Sequence, residues 1–253
     1  MIGNKQLSII LPSYNDLRIE RAIKSIRRFD DIQAVKILVI DGGSSDRIIQ
    51  LISNNLTGED TFISEPDKGI FDALNKGLDV CDTEFIGWLG SDDMFTGKIL
   101  ASQVVAALSK CDLFVANLWF FRNGYVTRMT PALPSKLGLM KFGLHNPHFA
   151  TFGSAALLKS ERFTLGLRAS DIEYFIKIFN KKPRVEISNI VATLQEEGGF
   201  STKSNTGILH SNLESISFFS RDTNRVMGTI AVLIKLGSKL VSRAYYKIFR
   251  VRV

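Results

Sequence analysis

The stretch Glu84-Phe85-Ile86-Gly87-Trp88-Leu89-Gly90-Ser91-Asp92-Asp93 joins a short apolar run to two adjacent carboxylates. A run with no polar alternation reads as a strand buried on both faces. Carboxylates at the carboxyl end of such a strand sit where open α/β sheets bind ligands. Mg²⁺ or Mn²⁺ is often held by one or two carboxylates, with substrate phosphates completing its shell. An Asx turn or a helix cap is the competing reading of Asp92 and Asp93.

The same design repeats outward from this point. Leu7–Leu11 and Lys36–Ile40 are apolar strands, Thr61–Ser64 is a third and Phe85–Leu89 the fourth. Between them helical spacing appears at Ile19, Ala22, Ile23 and Ile26, with Asp16 as the expected N-cap, and at Ile48, Ile49 and Ile52 after Asp46. Ile70–Leu78 is a further helix, closed by Gly77. Strands alternating with helices argue a parallel sheet covered on both faces, and right-handed crossovers gather the strand ends on one edge. Pro12, expected to stop the first strand, falls there with Asp41, Glu65 and Asp92. Further on, Asp112–Phe121 reads as extended, Asn123-Gly124 as a hairpin turn into Tyr125–Met129, and Pro131 and Pro134 as a loop. Ile172–Phe179 reads as helix, with Ser170 or Asp171 at its start, and Thr193–Asn205 as a polar loop. The chain divides at 1–117, 118–215 and 216–253.

Composition bounds the function. The 253 residues carry a formal charge of +7, yet all seven excess charges lie in 223–253, at Arg225, Lys235, Lys239, Arg243, Lys247, Arg250 and Arg252. The body is neutral. Lys235, Lys239, Arg243 and Lys247 recur every four residues, so the tail reads as a basic amphipathic helix lying on an anionic membrane surface through residues 226–253. A solvated helix packed on its own domain competes. Nucleic acid has no stacking platform here. Ile230–Ile234 is too short to span a bilayer, and residues 1–6 form no signal-peptide core. Cys81 and Cys111 read as buried thiols in a reducing cytoplasm.

Ser8-Ile-Ile-Leu-Pro-Ser-Tyr-Asn15, Val39-Ile-Asp-Gly-Gly-Ser-Ser-Asp46, Ser64-Glu-Pro-Asp-Lys-Gly-Ile-Phe-Asp-Ala-Leu-Asn-Lys-Gly77 and Trp88-Leu-Gly-Ser-Asp-Asp93 together resemble the family 2 glycosyltransferases, the inverting group with the GT-A fold. The likeness continues more weakly through His148–Thr151 and Ser170–Phe175, and the second half resembles bacterial members that build surface polysaccharides. It implies a Rossmann-like, mostly parallel α/β sheet with helices on both faces, followed by C-terminal amphipathic helices. The donor it implies is a nucleotide sugar, UDP-linked, with Mn²⁺ or Mg²⁺ as cofactor. The acceptor is a glycan or a lipid-linked oligosaccharide, met by a peripheral enzyme on the inner face of the plasma membrane.

By the same resemblance, Ser13 and Tyr14 lie against the base, with Pro12 and Asn15 also at the donor site, and Asp41 accepts the uracil N3–H. Lys68 offsets diphosphate charge, and Asp72 and Asn75, three apart on one helical face, also bind the donor. Ser91, Asp92 and Asp93 form the metal motif, Asp92 and Asp93 dividing the metal and ribose contacts, with Gly90 where many members carry Asp. His148 lies near the donor phosphates, and Gly198–Ser201, with Ser201 as ligand and Lys203 assisting, resembles a loop that folds over them. Asp171 matches the base that takes the acceptor proton, with Glu173 as the substitute; a plain N-cap role for Asp171 competes. His145 and His148 lack a third ligand for zinc. A sugar nucleotidyltransferase is disfavoured by the missing Gly-x-Gly-Thr-Arg signature. Pro12–Asn15 stands where a dinucleotide-binding fold carries its Gly-rich turn. A non-catalytic sugar-nucleotide-binding module is the remaining alternative.

Overall fold

A computed structural model describes residues 6–130, 148–197, 205–221 and 225–252. The loop at Pro131 and Pro134, His145, Gly198–Ser201 and Lys203 lie outside the described residues. Along the chain run β1 (Leu7–Ser13), α1 (Ile19–Phe29), β2 (Val35–Asp41), α2 (Asp46–Ser53), β3 (Thr61–Ser64), α3 (Ile70–Val80), β4 (Phe85–Trp88), β5 (Met94–Phe95) and α4 (Ala101–Leu108). The second half adds β6 (Leu113–Arg122), β7 (Tyr125–Thr130), β8 (Thr151–Ser154), α5 (Ala155–Leu158), α6 (Ser170–Asn180), β9 (Val185–Glu196), α7 (Asn205–Ser220) and α8 (Arg225–Phe249).

These strands form one sheet in the order β3-β2-β1-β4-β8-β6-β9-β5, with β7 on β6. The first four pair in parallel, as uninterrupted apolar strands with helical crossovers require. β8 joins the halves antiparallel to both β4 and β6, and β9 runs parallel to β6. Alternation along each strand feeds two cores. Leu7, Ile9, Leu11, Ile37 and Val39 pack with α1, α2 and α4 on one face. Ile10, Leu38, Ile40, Ile86 and Trp88 pack with α3 and α6 on the other. Cys81 and Cys111 are free and buried. The sheet is therefore the expected α/β architecture, and its parallel half sets the strand tips side by side: Ser13 pairs with Asp41, and Asp41 with Ser64.

Four expectations need correction. Pro12 does not stop β1, which runs through it to Ser13. Ile10 O accepts from Leu89 N at 3.1 Å and Ser13 O from Gly42 N at 2.9 Å, so alternate residues bond to β4 and to β2. The missing N–H of Pro12 falls on the β4 side, beyond the last paired residue Trp88, where no ladder bond is lost. Asp16 does not cap α1; its Oδ1 accepts from the backbone N of Arg18, at 2.9 Å, two residues short of the cap. Residues 193–196 are strand, since Thr193 Oγ1 donates to Phe149 O and Glu196 N to Asp93 Oδ1. Lys235 does not join an outward basic stripe. It is buried, and its Nζ donates to Ser215 Oγ on α7 at 3.0 Å.

That last inversion sets the face α8 presents. Ala231, Val232, Lys235 and Tyr246 turn inward, while Val226, Leu233, Leu240, Val241, Ile248 and Phe249 are exposed. Among the described residues no helix is long and apolar enough to cross a membrane.

Candidate active site

At the first two strand tips the polar groups are tied to one another. Asp41 is fully buried. Its Oδ2 accepts from Gly43 N (3.1 Å), Ser44 N (2.8 Å) and Ser64 Oγ (2.8 Å), and its Oδ1 from Ser44 Oγ. Four bonds come close to saturating a carboxylate, so Asp41 holds the turn after β2 together. Asn15, at φ 48, accepts from Ser45 N with its side chain and donates its own N–H to Ser44 Oγ, joining the two tips. Tyr14 stands 66% exposed, with its ring free to carry a flat ligand, and the buried Ser13 Oγ has no hydrogen-bond partner.

The third segment is more inward-looking than its spelling suggests. Asp72 Oδ2 accepts from Lys68 N at 3.0 Å and so holds the start of α3. Asn75 spends its whole amide on a distant backbone: Nδ2 donates to Phe163 O (2.9 Å) and Oδ1 accepts from Phe163 N (3.0 Å). Lys68 is exposed. Asp67 presses on the β2 turn, where a Cβ on Gly42 would sit 2.7 Å from its Oδ2.

The acidic tip beyond β4 is the chemically unusual place. A Cβ at Gly90 would lie 2.6 Å from Asp93 Oδ2 and 3.0 Å from Asp92 Oδ1. The two carboxylates therefore converge on the glycine, and the glycine is what lets them. Asp93 is fully buried; Oδ1 accepts from Glu196 N at 3.1 Å, whereas Oδ2 has no partner. Burial, and then the charge of Asp92, push its pKa well above the ordinary carboxylate range. Burial also raises Asp92, with Arg18 opposing. A buried carboxylate oxygen without a donor is costly unless it is protonated or meets a cation.

Around this pair lies a charged ring that sequence reading passed over. The Arg18 guanidinium stands 2.7 Å from Asp16 Oδ2, 3.3 Å from Glu196 Oε2 and 3.7 Å from Asp92 Oδ2. Arg21 donates to Asp92 O (2.6 Å) and Glu196 Oε2 (2.9 Å). Burial alone would raise Asp16, yet its bonds from Arg18 bring it below the usual value. Ser91 Oγ reaches Asp16 Oδ2 at 3.4 Å. Arginines one turn apart at the head of α1, facing an acidic strand tip, were the available signal; nothing periodic marked them.

Among the described residues no three His, Cys, Asp or Glu side chains gather to hold an ion unaided. A divalent ion that takes most of its shell from diphosphate and water needs only one or two carboxylates. The orphaned Asp93 Oδ2, converging with Asp92 Oδ1, fits that requirement.

On the other side of the sheet, His148 is buried against Trp88, Phe149, Phe163 and Phe175. Burial lowers its pKa to about 3, so the ring is neutral, and its Nε2 has no partner. Asp171 is partly buried in the first turn of α6, one turn before Phe175, whose ring meets His148. Neither Ser170 nor Asp171 is the N-cap, which is Ala169; Ser170 Oγ instead accepts from Thr164 N at 2.7 Å. Glu214 of α7 accepts from Arg168 N and Ala169 N, both at 2.8 Å, an acid where the helix dipole favours one. Glu173 is committed to structure, bonded to Thr164 Oγ1 and Arg221 Nη1. The structure thus brings Ser91, Asp92 and Asp93 together and sets Ser13–Asn15 beside Asp41, while Asn75 is turned toward Phe163.

Comparison with known proteins bears on this arrangement. The model of glycosyl transferase family 2 matches residues 8–162. An uncharacterized glycosyltransferase of Mycobacterium tuberculosis is 33% identical over 184 residues, 70% of each chain. A PGL/p-HBAD biosynthesis glycosyltransferase of Mycobacterium bovis is 31% identical over 108 residues, 41% of each. Among solved structures, S. aureus TarS 1–349 in complex with UDP-GlcNAc superposes with a TM-score of 0.63 at 16% identity, covering 92% of this chain and 72% of that one. The mannosyltransferase PcManGT of Pyrobaculum calidifontis, in complex with GDP-Man and Mn²⁺, gives 0.58 at 14% identity, covering 97% and 79%.

Proposed function

The chain belongs to glycosyl transferase family 2, and from that premise we propose that it moves a hexosyl group from UDP to a glycan hydroxyl with inversion. The acceptor oxygen attacks the anomeric carbon as the bond to the diphosphate breaks, and the electron pair leaves with UDP. The acceptor proton passes to the Asp171 carboxylate, which must come within about 3 Å of it. Asp92 and Asp93 would hold Mn²⁺ or Mg²⁺, which would supply Lewis-acid neutralisation of the leaving diphosphate's charge. Tyr14 offers its ring to the base. His148, neutral in its aromatic nest, contributes shape and a ring nitrogen rather than charge.

The observation that carries this reading is the buried, unpartnered Asp93 Oδ2 facing Asp92 Oδ1 across Gly90. Two structural neighbours, solved in complex with UDP-GlcNAc and with GDP-Man and Mn²⁺, support a nucleotide-sugar donor and a divalent ion.

The acceptor is lipid-linked and belongs to surface polysaccharide assembly, met at the inner face of the plasma membrane. Support comes from α8, about 37 Å long, whose exposed apolar side would lie in the headgroup region with Arg243 and Lys247 along one flank. Thermal denaturation with Mn²⁺ and a panel of nucleotide sugars tests the donor reading, because a ligand of the native state raises the midpoint by mass action. A Mn²⁺-dependent rise with a UDP-sugar, absent in Asp93→Asn, is expected. An equal rise in the variant would refute the site.

A further inference from the structure

A cleft of about 650 Å³ opens between the β6–β7 hairpin and α8, and four cationic side chains stand among its otherwise largely apolar and aromatic walls. Arg122 and Tyr125 come from the hairpin; Arg243, Tyr246 and Lys247 come from α8, and Arg250 follows it. Among the described residues, one lining carboxylate, Glu197, stands against these four positive charges, already engaged by Arg243 at 3.4 Å. The chain end closes the wall: Val126 N donates to Val251 O, and the Arg252 guanidinium binds the Tyr125 hydroxyl at 3.1 Å.

A fifth cation belongs to the hairpin itself, on β7 opposite Phe120. Arg128 is 7% exposed and its Nε has no acceptor; the guanidinium rests 3.3 Å from the Phe120 ring centroid. Burial, followed by the charge of Arg243, lowers its pKa to about 10, with Glu197 opposing. Arg128 therefore feels two residues that line the cleft. A buried cation with an idle donor is stabilised by an anion.

The cleft and the acidic tip take consecutive residues of the same two strands, whose side chains turn to opposite sides. Glu196 N bonds Asp93 while the next residue, Glu197, lines the cleft. On the parallel strand, Arg21 lies 5.6 Å over the Phe121 ring, and the next residue, Arg122, lines the cleft. The two sites are thus one residue apart on β6 and at the end of β9.

We infer that this cleft seats a phosphate-bearing group of the acceptor. Arginine forks match phosphate oxygens in pairs, and several cations around one small volume suit a group with more than one negative charge. The inference rests on the glycosyl-transfer reading, which places the donor diphosphate at Asp92 and Asp93 and leaves the cleft to the other substrate. The proposed lipid-linked acceptor would bring the phosphate in its linkage to the carrier; a phosphate within a soluble glycan is the other source of the same chemistry.

Calorimetry of the full chain with inorganic pyrophosphate, in the absence of divalent ions, tests it. Arg243→Gln with Lys247→Gln, both at exposed positions, should weaken pyrophosphate about tenfold or more, with Mn²⁺-dependent UDP binding unchanged. Arg250→Gln, three residues beyond Lys247 at the end of α8, should also weaken it. Unchanged pyrophosphate affinity in these variants overturns the inference. So does a loss produced instead by Asp93→Asn, which would put the anion at the acidic tip.

Two further probes separate the sources. Vesicles of phosphatidylcholine with phosphatidic acid that bind wild type, release it to pyrophosphate and fail to bind the double variant indicate a lipid phosphate. Binding of glycerol phosphate without vesicle binding indicates a glycan phosphate, and binding of neither overturns the inference. Pyrophosphate held in the cleft by a chain that never binds UDP would instead sink the glycosyl-transfer reading.

Discussion

Acidification should unfold this protein in part through a single imidazole. His148 has a folded pKa of about 3 against an ordinary 6.5, because four aromatic rings exclude water from it. A folded pKa below the unfolded one means the unfolded chain takes up the proton first. The stability contributed by the neutral ring is therefore complete above about pH 6.5 and is lost as pH falls toward about 3. At about pH 4.5, two units below the unfolded value, the loss is roughly 2.7 kcal/mol. Urea unfolding of wild type and His148→Phe, each at about pH 7.5 and about pH 4.5, isolates this quantity. Phe suits an aromatic nest; any overpacking of about 1–3 kcal/mol enters both pH values equally. Carboxylates held below their usual range, such as Asp60 and Asp112, also lose stabilising force in acid. Asp93, held above its range, acts in the opposite sense. Both contributions are common to the two proteins and cancel. Wild type should lose roughly 2.7 kcal/mol more than the variant; an equal loss would refute the argument that burial holds the ring neutral.

Gly90→Ala places a methyl 2.6 Å from Asp93 Oδ2; a loss of about 1–3 kcal/mol in thermal or urea unfolding is expected, together with weaker Mn²⁺ binding by calorimetry. Full Mn²⁺ affinity in that variant would show that the convergence of the two carboxylates is incidental. Asp171→Asn should cut turnover by about a hundredfold or more while Mn²⁺–UDP affinity stays as in wild type; undiminished turnover ends its assignment as base. Leu240→Glu with Ile248→Glu alters only the outward side of α8, so the folded midpoint should hold and cosedimentation with anionic vesicles should drop. Retained cosedimentation would move membrane contact elsewhere.

The parallel half was legible because its strands are buried on both faces and so spell themselves as unbroken apolar runs, Lys36–Ile40 above all. The second half hid its last long strand. Thr193, Gln195 and Glu196 look like loop residues, yet Thr193 Oγ1 and Glu196 N find partners across the sheet, and pairing with β6 and β5 overrides composition. Asn75 sits in the most specific motif of the chain, but spelling cannot reveal that its amide clamps Phe163. Lys235 shows the limit of periodicity: a four-residue repeat of basic residues fixes which side chains share a helix face, and the neighbouring α7 decides which face is covered. Arg18 and Arg21 carried no pattern at all. Their importance arises from distant partners, Asp92 and then Glu196, the latter some 175 residues after Arg21.

Glu196 and Glu197 turn to opposite sides, one toward the arginines of α1 and the other toward Arg243. Their partition is fixed upstream, where β9 slips against β6 twice, between partners of Val115 and Asn117 and again before Leu118, with Asn117 Nδ2 pinned to Asn189 O at 2.7 Å. Because side chains alternate with a period of two, removing a single residue from that slack would exchange every substituent downstream between the two compartments. A short deletion near Asn189 is thus a route by which descendants of this chain could acquire a different substrate wall without altering one residue of it.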